Sequence, residues 1–176
     1  RAADFLVVRA ATGEAATLEE AERDALISAC LNEAGGRPVV AGSCTAEAVV
    51  SHGGFNTLAS FQMPMMFGDK KIKCGDQNNA DLYKKPLAHK ALCLPMTIGS
   101  TTGGMVLFTV CSNNVASACM LFSEHIDSLA ASGAILAANW TDVSMPVVDQ
   151  LGDEFLAYVK DGMQISVAPD GTVTVS

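Results

Sequence analysis

The stretch KALCLPMTIGSTTGGMVLFTVCS, residues 90–112, decides the fold. It begins with a short apolar run that ends at Pro95, and such a run is typical of a buried strand. It closes with an uncharged apolar segment from Gly103 onward, whose length favours a helix. Glycine, serine and threonine fill the turn between the two. In an open α/β sheet, a turn at the carboxyl end of a parallel strand is a place where ligands bind.

Strands and helices alternate in the sequence that follows. SACMLF is predicted as a strand, IDSLAASGAILAAN as a helix and MPVVDQ as a strand. This alternation predicts a parallel βαβ arrangement, with strands at about 90–95, 118–122 and 146–149. The last segment alternates with period two around the turn sequence Pro-Asp-Gly, which predicts a terminal hairpin at about 163–175.

The first part of the chain carries weaker signals. RPVVAG and EAVVS are short β-branched runs and are predicted as strands. A capping-box pattern, T-x-x-E, opens a predicted helix over residues 17–34. We therefore expect residues 1–36 to form a helical extension and residues 37–176 to form the main domain. The stretch 51–81 is expected to be rich in loops.

Composition limits the classes of partner and compartment. The 176 residues are 49% hydrophobic, which is enough for a core, and the net charge is −8. A negative field repels phosphate backbones, so nucleic acid is not an expected partner. Apolar runs are too short to span a bilayer and no signal-peptide pattern opens the chain, so we expect a cytoplasmic protein without membrane contact. The six cysteines form no C-x-x-C pair, which predicts reduced core thiols and no metal site made by this chain alone.

The glycine–hydroxyl turn at residues 99–104 has the chemistry of an anion site. Free backbone N–H groups at a helix start favour an anion, and the hydroxyls of Ser100, Thr101 and Thr102 add further polar contacts. A carboxylate or a phosphate would fit. An ordinary turn with serine or threonine as helix N-cap is the alternative, and the spacing leaves it open. A P-loop is excluded because its lysine and its glycine spacing are absent.

The segment DLYKKPLAHKALCLPMTIGSTTGG, residues 81–104, resembles the central motif of the small swivelling subunit of the aconitase X family. That motif has Leu-Tyr-Gly, a spacer, a strand ending in Leu-x-x-Pro, and then Gly-Ser-Ser/Thr-x-Gly-Ser. The later segments ACMLFSEHIDSLAASGAILA, MPVVDQ and VKDGMQISVAPDGTVTV resemble the strands, helix and closing hairpin that follow in the family. RPVVAGSCTAEAVVS resembles its opening strands. The resemblance covers about 37–51 and 81–176, and it implies an α/β fold of the swivelling β/β/α type.

The resemblance implies a subunit of a hydro-lyase, a dehydratase that is active only with a large partner. In this family the partner carries an iron–sulfur cluster, so no cluster is expected on this chain alone. By motif position Ser100 is the implied catalytic residue, a general base at the carbon that loses a proton. The implied substrate-binding residues lie in the same loop, with one acid from elsewhere: Gly99, Thr101, Thr102, Gly103 and Asp69.

The implied substrate is a small hydroxy acid, because the known substrates of the family are cis-3-hydroxy-L-proline and mevalonate 5-phosphate. The family usually has a basic residue before its Gly-Ser pair, and this chain has Ile98 there. Loss of that positive charge favours cis-3-hydroxy-L-proline over the phosphorylated substrate. Lys70, Lys71 and Lys73 would restore positive charge if their loop folded over the site.

Departures from the family pattern keep a non-catalytic alternative open. The closing serine of the motif is replaced by Gly104. The family loop Gly-Gly-x-Asp-Pro-x-Thr-Gly is not recognised, and MMFGDKKIKCGDQ, residues 65–77, stands in its place with Asp69 as the remaining acid. The alternative is a swivelling module that only binds a partner.

A second alternative comes from residues 51–80, which superficially resemble the sugar-nucleotide motif of family-one glycosyltransferases. His52 would contact a diphosphate, and Asp76 with Gln77 would contact a sugar. The chain would then be a nucleotide-sugar-binding fragment. The glutamate expected after Leu58 is missing, which counts against this alternative.

A few further side chains have simpler interpretations. His89 and His125 are predicted to be surface residues, and Trp140 is predicted to pack in the core. Met65 and Met66 are candidate contacts with another chain, because methionine adapts well to interfaces.

Overall fold

Ten strands and four helices make up residues 33–176, the part of the chain that this computed structural model describes. The strands are β1 (Glu33–Gly35), β2 (Arg37–Val40), β3 (Cys44–Val50), β4 (Phe55–Asn56), β5 (Ala91–Leu94), β6 (Thr97–Ile98), β7 (Cys119–Phe122), β8 (Val147–Asp149), β9 (Gln164–Val167) and β10 (Thr172–Val175). The helices are α1 (Thr57–Met66), α2 (Gly103–Ser112), α3 (Ser128–Trp140) and α4 (Asp153–Tyr158).

Eight of the strands form one curled sheet, in the order β1-β10-β9-β3-β5-β7-β8-β2. Strand β3 joins its two halves. Residues Cys44–Glu47 pair with β9 in the antiparallel half, and Ala48–Val50 pair with β5 in the parallel half. Strands β5, β7 and β8 continue in parallel, and β2 closes that half as an antiparallel edge. Since only Gly36 separates β1 from β2, the two ends of the sheet are joined by the chain itself.

Side-chain alternation along the parallel strands builds two cores. Along β5, Leu92 and Leu94 contact the helices α1, α2 and α3, whereas Ala91 and Cys93 face the antiparallel half. Side chains along β7 and β8 also alternate between the helix-facing core and the core against the antiparallel half. Because successive strand residues point to opposite faces, a fully apolar strand buries one row in each core. The result is three layers, β/β/α, as predicted.

Helices α2 and α3 approach each other very closely at their first turns. A Cβ atom on Gly104 would lie 2.2 Å from the Leu129 carbonyl oxygen, so no side chain fits there. Gly133 faces Gly104 from the other helix. The replacement of the family's serine by Gly104 therefore has a structural reason in this chain.

The predicted strands at residues 90–95, 118–122 and 146–149, the helices between them and the closing hairpin are confirmed. The predicted helix over 17–34 is wrong at its end, because residues 33–35 form β1 and pair with β10. Its remainder lies outside the described residues, and the division of the chain at residue 36 stays a prediction.

The expectation of a loop-rich stretch over 51–81 is also wrong in part, since it contains helix α1. Pro64 lies in the interior of this helix, and because proline usually interrupts a helix, the sequence did not predict one there. Its stability comes from packing, because Phe61 is fully buried against Phe55 at a ring-centroid distance of 5.5 Å. Over residues 33–176 no helix is both long and apolar enough to cross a membrane.

Candidate active site

The candidate site lies where the parallel strands β3 and β5 end. The segments that follow these strands form the short parallel pair β4–β6, in which Phe55 is opposite Thr97 and Asn56 is opposite Ile98. The Phe55 N–H also donates to the Met96 carbonyl at 2.9 Å. This pairing brings the start of α1 against the glycine–hydroxyl turn, which precedes α2. Two helix N-termini therefore meet at the carboxyl edge of the sheet.

Ser100 is half-buried in this turn, and its hydroxyl has local partners. Ser100 Oγ lies 2.8 Å from Thr102 Oγ1 and accepts a hydrogen bond from the Thr102 N–H at 3.2 Å. Thr102 occupies the N-cap position of α2, yet its side chain makes no capping hydrogen bond. The two hydroxyls thus bond each other in front of the helix start. The ordinary N-cap interaction considered from the sequence is not formed by Thr102.

The remaining loop residues predicted to bind substrate cluster around Ser100. Thr101 is exposed, and Gly103 is buried against Thr57 of α1. Gly99 has φ +102°, and a Cβ there would lie 2.6 Å from Asn56 Nδ2. Only glycine permits both that backbone conformation and that close approach.

Asn56 is a candidate site residue that the sequence interpretation missed. Its Oδ1 accepts a hydrogen bond from the Ala59 N–H at 3.1 Å and caps α1, which leaves the Nδ2 donor against Gly99. Residues Gly53-Gly54-Phe55-Asn56 match the first four positions of the family's Gly-Gly-x-Asp loop, with an amide in place of the acid. A Gly-Gly-x-Asn signal is thus present at 53–56, and the interpretation that residues 65–77 stand in place of this loop stays a prediction.

Asp69 lies at the opposite end of α1 from Ser100. Its N–H donates to the Pro64 carbonyl in the last turn, and a ten-residue helix is about 15 Å long. Both carboxylate oxygens accept N–H groups of its own loop, from Lys71 and Lys73, at 2.9 Å. These hydrogen bonds lower the pKa of Asp69. Asp69 thus holds its own turn, and the structure does not bring it or the neighbouring lysines to the glycine–hydroxyl turn.

The loop after β3 and the turn at residues 76–82 form one polar unit. Asn79 Nδ2 donates to the fully buried Ser51 Oγ at 2.9 Å. The His52 N–H donates to Asp81 Oδ2 at 2.8 Å, and His52 Nδ1 lies 3.4 Å from the same oxygen. The backbone hydrogen bond from His52 is the main cause of the lowered pKa of Asp81.

The residues assigned to a sugar in the glycosyltransferase interpretation have other surroundings. Asp76 is buried and accepts the Asn78 N–H at 2.9 Å, so its carboxylate stabilises a turn. Gln77 is exposed beside it.

A third loop, after β7, fixes the start of α3 against the site. Thr97 Oγ1 donates to Asp127 Oδ2, and Asp127 Oδ1 caps α3 by accepting the N–H groups of Leu129 and Ala130 at 2.8 and 3.0 Å. Within residues 33–176, no group of three or more His, Cys, Asp or Glu side chains is placed to hold a metal ion. The described residues therefore do not fit an iron–sulfur cluster. They offer hydroxyls, an amide and helix N–H groups.

Asp149 is buried at the end of β8, on the same carboxyl edge of the sheet as the candidate site. Arg37 donates to its two carboxylate oxygens at 2.9 and 2.7 Å, and the Ile126 N–H donates at 3.3 Å. Burial acts to raise the pKa of Asp149, but the hydrogen bonds from Arg37 and Ile126 outweigh it and leave this pKa lowered. His125 is exposed and its Nδ1 lies 3.4 Å from the carboxylate.

The three layers and the loop at the carboxyl edge define a swivelling domain of the β/β/α class. The family model for the aconitase X swivel domain matches residues 33–175, and the chain belongs to this family. The resemblance found in the sequence is thereby confirmed. Because residues 51–80 lie inside the matched domain, they are part of this fold, and the glycosyltransferase interpretation is wrong.

Curated relatives match about half of the chain. The phosphomevalonate dehydratase small subunit of Aeropyrum pernix is 33% identical over 91 residues, which are 52% of this chain and 64% of that protein. The protein of the same name from Methanothermobacter thermautotrophicus is 29% identical over 89 residues, or 51% of this chain and 63% of that protein. The chain thus spans less than two thirds of the length of these relatives.

Solved structures extend the similarity to 82% of this chain. The crystal structure of Thermococcus kodakaraensis aconitase X in its holo-form superposes with a TM-score of 0.68 at 25% identity, over 82% of this chain and 98% of that chain. The solution NMR structure of a UPF0107 protein superposes with a TM-score of 0.66 at 23% identity and supports the fold alone.

Proposed function

We propose that the chain is the small subunit of an iron–sulfur-dependent hydro-lyase that removes water from a small hydroxy acid. The observation that carries the proposal is the hydroxyl pair of Ser100 and Thr102 at the start of α2, beside Asn56 at the start of α1. The named relatives are small subunits of a dehydratase, which supports the same reaction class.

Ser100 is the proposed general base. A serine hydroxyl is a weak base in water, and a helix N-terminus favours the charged alkoxide over the neutral hydroxyl. The neighbouring Thr102 hydroxyl, 2.8 Å away, donates a hydrogen bond to that alkoxide. Asn56 Nδ2 and the N–H groups at the start of α2 are then the proposed donors to the substrate carboxylate. Gly99, Thr101 and Gly103 line the same turn, whereas Asp69 lies outside the proposed site.

The proposed substrate is mevalonate 5-phosphate, because the curated relatives carry that activity in their names. cis-3-Hydroxy-L-proline remains the second candidate. It is favoured by Ile98, which occupies the position of the family's basic residue, and by the distance of Lys70, Lys71 and Lys73 from the turn.

A large partner that holds the cluster is part of the proposal. Helices α1, α2 and α3 contain no Asp, Glu, Lys or Arg, although the chain has 19 acidic and 11 basic residues. On this uncharged layer Met105 is 72% exposed and Trp140 is 73% exposed, which corrects the prediction that Trp140 is in the core. An exposed apolar surface of this kind marks a protein interface. Since Met105 lies in the first turn of α2, the α2–α3 face is continuous with the Ser100 loop and is the proposed contact with the large subunit.

The reaction is tested by producing the chain together with the large aconitase-X-type subunit of its source and measuring dehydration of both substrates. Ser100→Ala is expected to reduce kcat by roughly 10²-fold or more, because general acid–base catalysis contributes on that order. Ser112→Ala, at the exposed far end of α2, is the matched control and is expected to leave kcat unchanged. Undiminished turnover by Ser100→Ala would remove this residue from the mechanism. A wild-type complex that assembles but dehydrates neither substrate would support the non-catalytic alternative.

The contact surface is tested by fluorescence, because Trp140 is the single tryptophan of the chain. Its emission is expected to shift to shorter wavelength when the large subunit binds, since the indole leaves water. Met105→Lys is expected to weaken association, and Ser166→Lys, on the exposed face of the antiparallel half, is the control. An unchanged spectrum in a complex that forms would place the interface elsewhere, for example at Met65 and Met66, which stay a predicted contact.

A further inference from the structure

The turn that carries Ser100 is held at its two ends. Between the ends it closes on itself, because the Gly103 N–H donates to the Ser100 carbonyl at 2.9 Å. Within residues 33–176, the hydrogen bonds of the Ser100 side chain all join it to Thr102. The place of the Ser100 hydroxyl therefore depends on what holds the residues before and after the turn.

The start of α3 contacts both ends of this turn. Thr97, three residues before Ser100, is buried and donates its hydroxyl to Asp127 Oδ2. The Asp127 N–H donates back to Thr97 Oγ1 at 3.3 Å, so that the two residues share two hydrogen bonds. After the turn, a Cβ on Gly104 would lie 2.2 Å from the Leu129 carbonyl oxygen. One short segment of α3 thus fixes the chain on both sides of Ser100.

Asp127 divides its two carboxylate oxygens between the helix and the turn. Oδ1 caps α3 by accepting the N–H groups of Leu129 and Ala130, and Oδ2 accepts the Thr97 hydroxyl. A serine would cap the helix about as well, because the cap needs only one short side-chain oxygen. Capping therefore accounts for one of the two oxygens, and the contact with the Ser100 loop accounts for the other.

Electrostatics gives no reason for a carboxylate at this position. Asp127 is half-buried beside the loop, and a negative charge there disfavours an alkoxide on Ser100 and repels an anionic substrate. What Asp127 supplies is geometry. A general base must lie within hydrogen-bond distance of the proton that it removes, so the placing of its loop affects the rate directly.

We propose that Asp127 is a positioning residue of the hydro-lyase site and that it acts on Ser100 through the Thr97 hydroxyl. The inference rests on the function proposed above, in which Ser100 is the base. Asp127 does not touch the substrate in this arrangement. It keeps the Ser100 oxygen in line with the reacting carbon, and a displacement of about 1 Å can cost on the order of 10²-fold in rate.

The test breaks the contact from each side in the complete complex with the large subunit. Thr97→Val removes the hydroxyl and keeps the shape of the side chain. Asp127→Ser keeps a capping oxygen for α3 but has no second oxygen for Thr97. Each variant is expected to lower kcat by roughly 10-fold with little change in KM. For Asp127→Ser this fall is opposite to the rise that loss of a negative charge alone would give.

Thr97→Ser restores the hydroxyl and is expected to recover most of kcat. A merely structural contact would change the Tm and the yield of the complex but not kcat per mole of complex. The double variant Thr97→Val/Asp127→Ser is expected to lose roughly 10-fold, as either single variant does, and not the roughly 100-fold of two independent effects, because both changes remove one contact.

Thr45→Val is the matched control. Its hydroxyl also has a side-chain partner, Ser166 at 3.2 Å, but the pair lies in the antiparallel half of the sheet. This variant is expected to leave kcat unchanged. Co-purification of each variant with the large subunit shows that the complex is intact. If Asp127→Ser does not assemble, the comparison of Thr97→Val with Thr97→Ser decides the question.

The outcomes separate this inference from the proposed function. If Ser100→Ala loses activity while Thr97→Val keeps the wild-type kcat, the role of Asp127 is overturned and that of Ser100 stands. Multiplied losses in the double variant would overturn it as well. If Ser100→Ala keeps full activity, or the wild-type complex dehydrates neither substrate, the proposed function fails and the role of Asp127 fails with it.

Discussion

Gly104 and Gly133 are in direct backbone contact across helices α2 and α3, so that a Cβ on Gly133 would lie 2.0 Å from the Gly104 carbonyl oxygen. The obstructing atoms belong to backbone on both sides and cannot rotate away. The start of α2 carries the Ser100 loop, and the start of α3 is tied to that loop by Thr97 and Asp127. This contact therefore sets the distance between two of the segments that build the candidate site.

Gly133→Ala is expected to destabilise the fold by about 3 kcal/mol, because overpacking against fixed atoms costs 1–3 kcal/mol or more. For a chain of this size the loss corresponds to a fall in Tm of roughly 10 °C, which thermal unfolding followed by circular dichroism would detect. Ser132→Ala, at an exposed position one residue earlier on α3, is the control and should leave Tm within about 1 °C. An unchanged Tm for Gly133→Ala would show that the helices are further apart than described here.

Asn56 is expected to have two separable roles, one in folding and one in the proposed reaction. Asn56→Ala removes the cap of α1 and should cost about 1 kcal/mol of stability. Asn56→Ser keeps a capping oxygen but removes the amide donor against Gly99. It is expected to retain stability while kcat/KM falls by at least about 10-fold in the complex, since a hydrogen bond to a charged group contributes about 1.5–3 kcal/mol. If Asn56→Ser has wild-type kcat/KM, the amide does not touch substrate.

Asp149 is expected to make stability depend on pH on the acid side. Its pKa is lowered in the folded state, so its contribution is complete above the unfolded-state value of about 3.9 and is lost as pH falls through the folded-state pKa. Urea unfolding should therefore show a free energy that declines below about pH 4. Asp149→Asn should lower stability at pH 7 by about 2–3 kcal/mol, because Arg37 loses its charged partner, and should flatten the decline. Asp142→Asn, an exposed loop residue, is the control. If the free energy of unfolding of Asp149→Asn fell equally steeply at acid pH, other carboxylates would be the cause of the decline.

Cys44 is expected to be the first of the described thiols to react. A hydrogen bond with Cys119 lowers the pKa of Cys44, which is half-buried at the start of β3. Burial raises the pKa of Cys111 to about 11, and the pKa values of Cys93 and Cys119 are also raised. In a Cys30→Ser background, a disulfide reagent at pH 8 should label Cys44 rapidly and the others only on unfolding, as read by peptide mass spectrometry. Adding Cys44→Ser should abolish the fast phase; rapid labelling of Cys111 in the folded chain would contradict the prediction.

The structure of residues 90–112 could be predicted from the sequence because it depends mainly on residues that are close together in the chain. The apolar strand, the glycines and the uncharged helix in residues 90–112 each follow from neighbouring residues, and the structure has them where the pattern predicts. Helix α1 could not be predicted, because Pro64 interrupts the sequence pattern of a helix. The contact that buries Phe61 against Phe55 depends on the tertiary structure and gives no sequence signal.

The site was half predictable for the same reason. Ser100 and its loop follow from sequence, but the contact of Asn56 with Gly99 depends on the non-local pairing of β4 with β6. The link between His52 and Asp81 spans 29 residues and gives no periodic signal. Exposure of Trp140 could not be inferred either, because an apolar helix without charges has the same sequence whether a partner or its own core covers it.

Strand β3 pairs with β5 and also with β9, which is synthesised much later, so the two cores of the domain form in a fixed order. Thr45 on β3 is opposite Ser166 on β9, 121 residues later in the chain, and their hydroxyls are 3.2 Å apart. A ribosome adds roughly 5–20 residues per second, so the strand waits on the order of ten seconds for this neighbour. During that time Ala46, Ala48 and Val50, which face the second core, have no antiparallel layer over them. The nascent chain therefore cannot close its second core before the β9–β10 hairpin leaves the ribosome, and until then this apolar surface is exposed to aggregation.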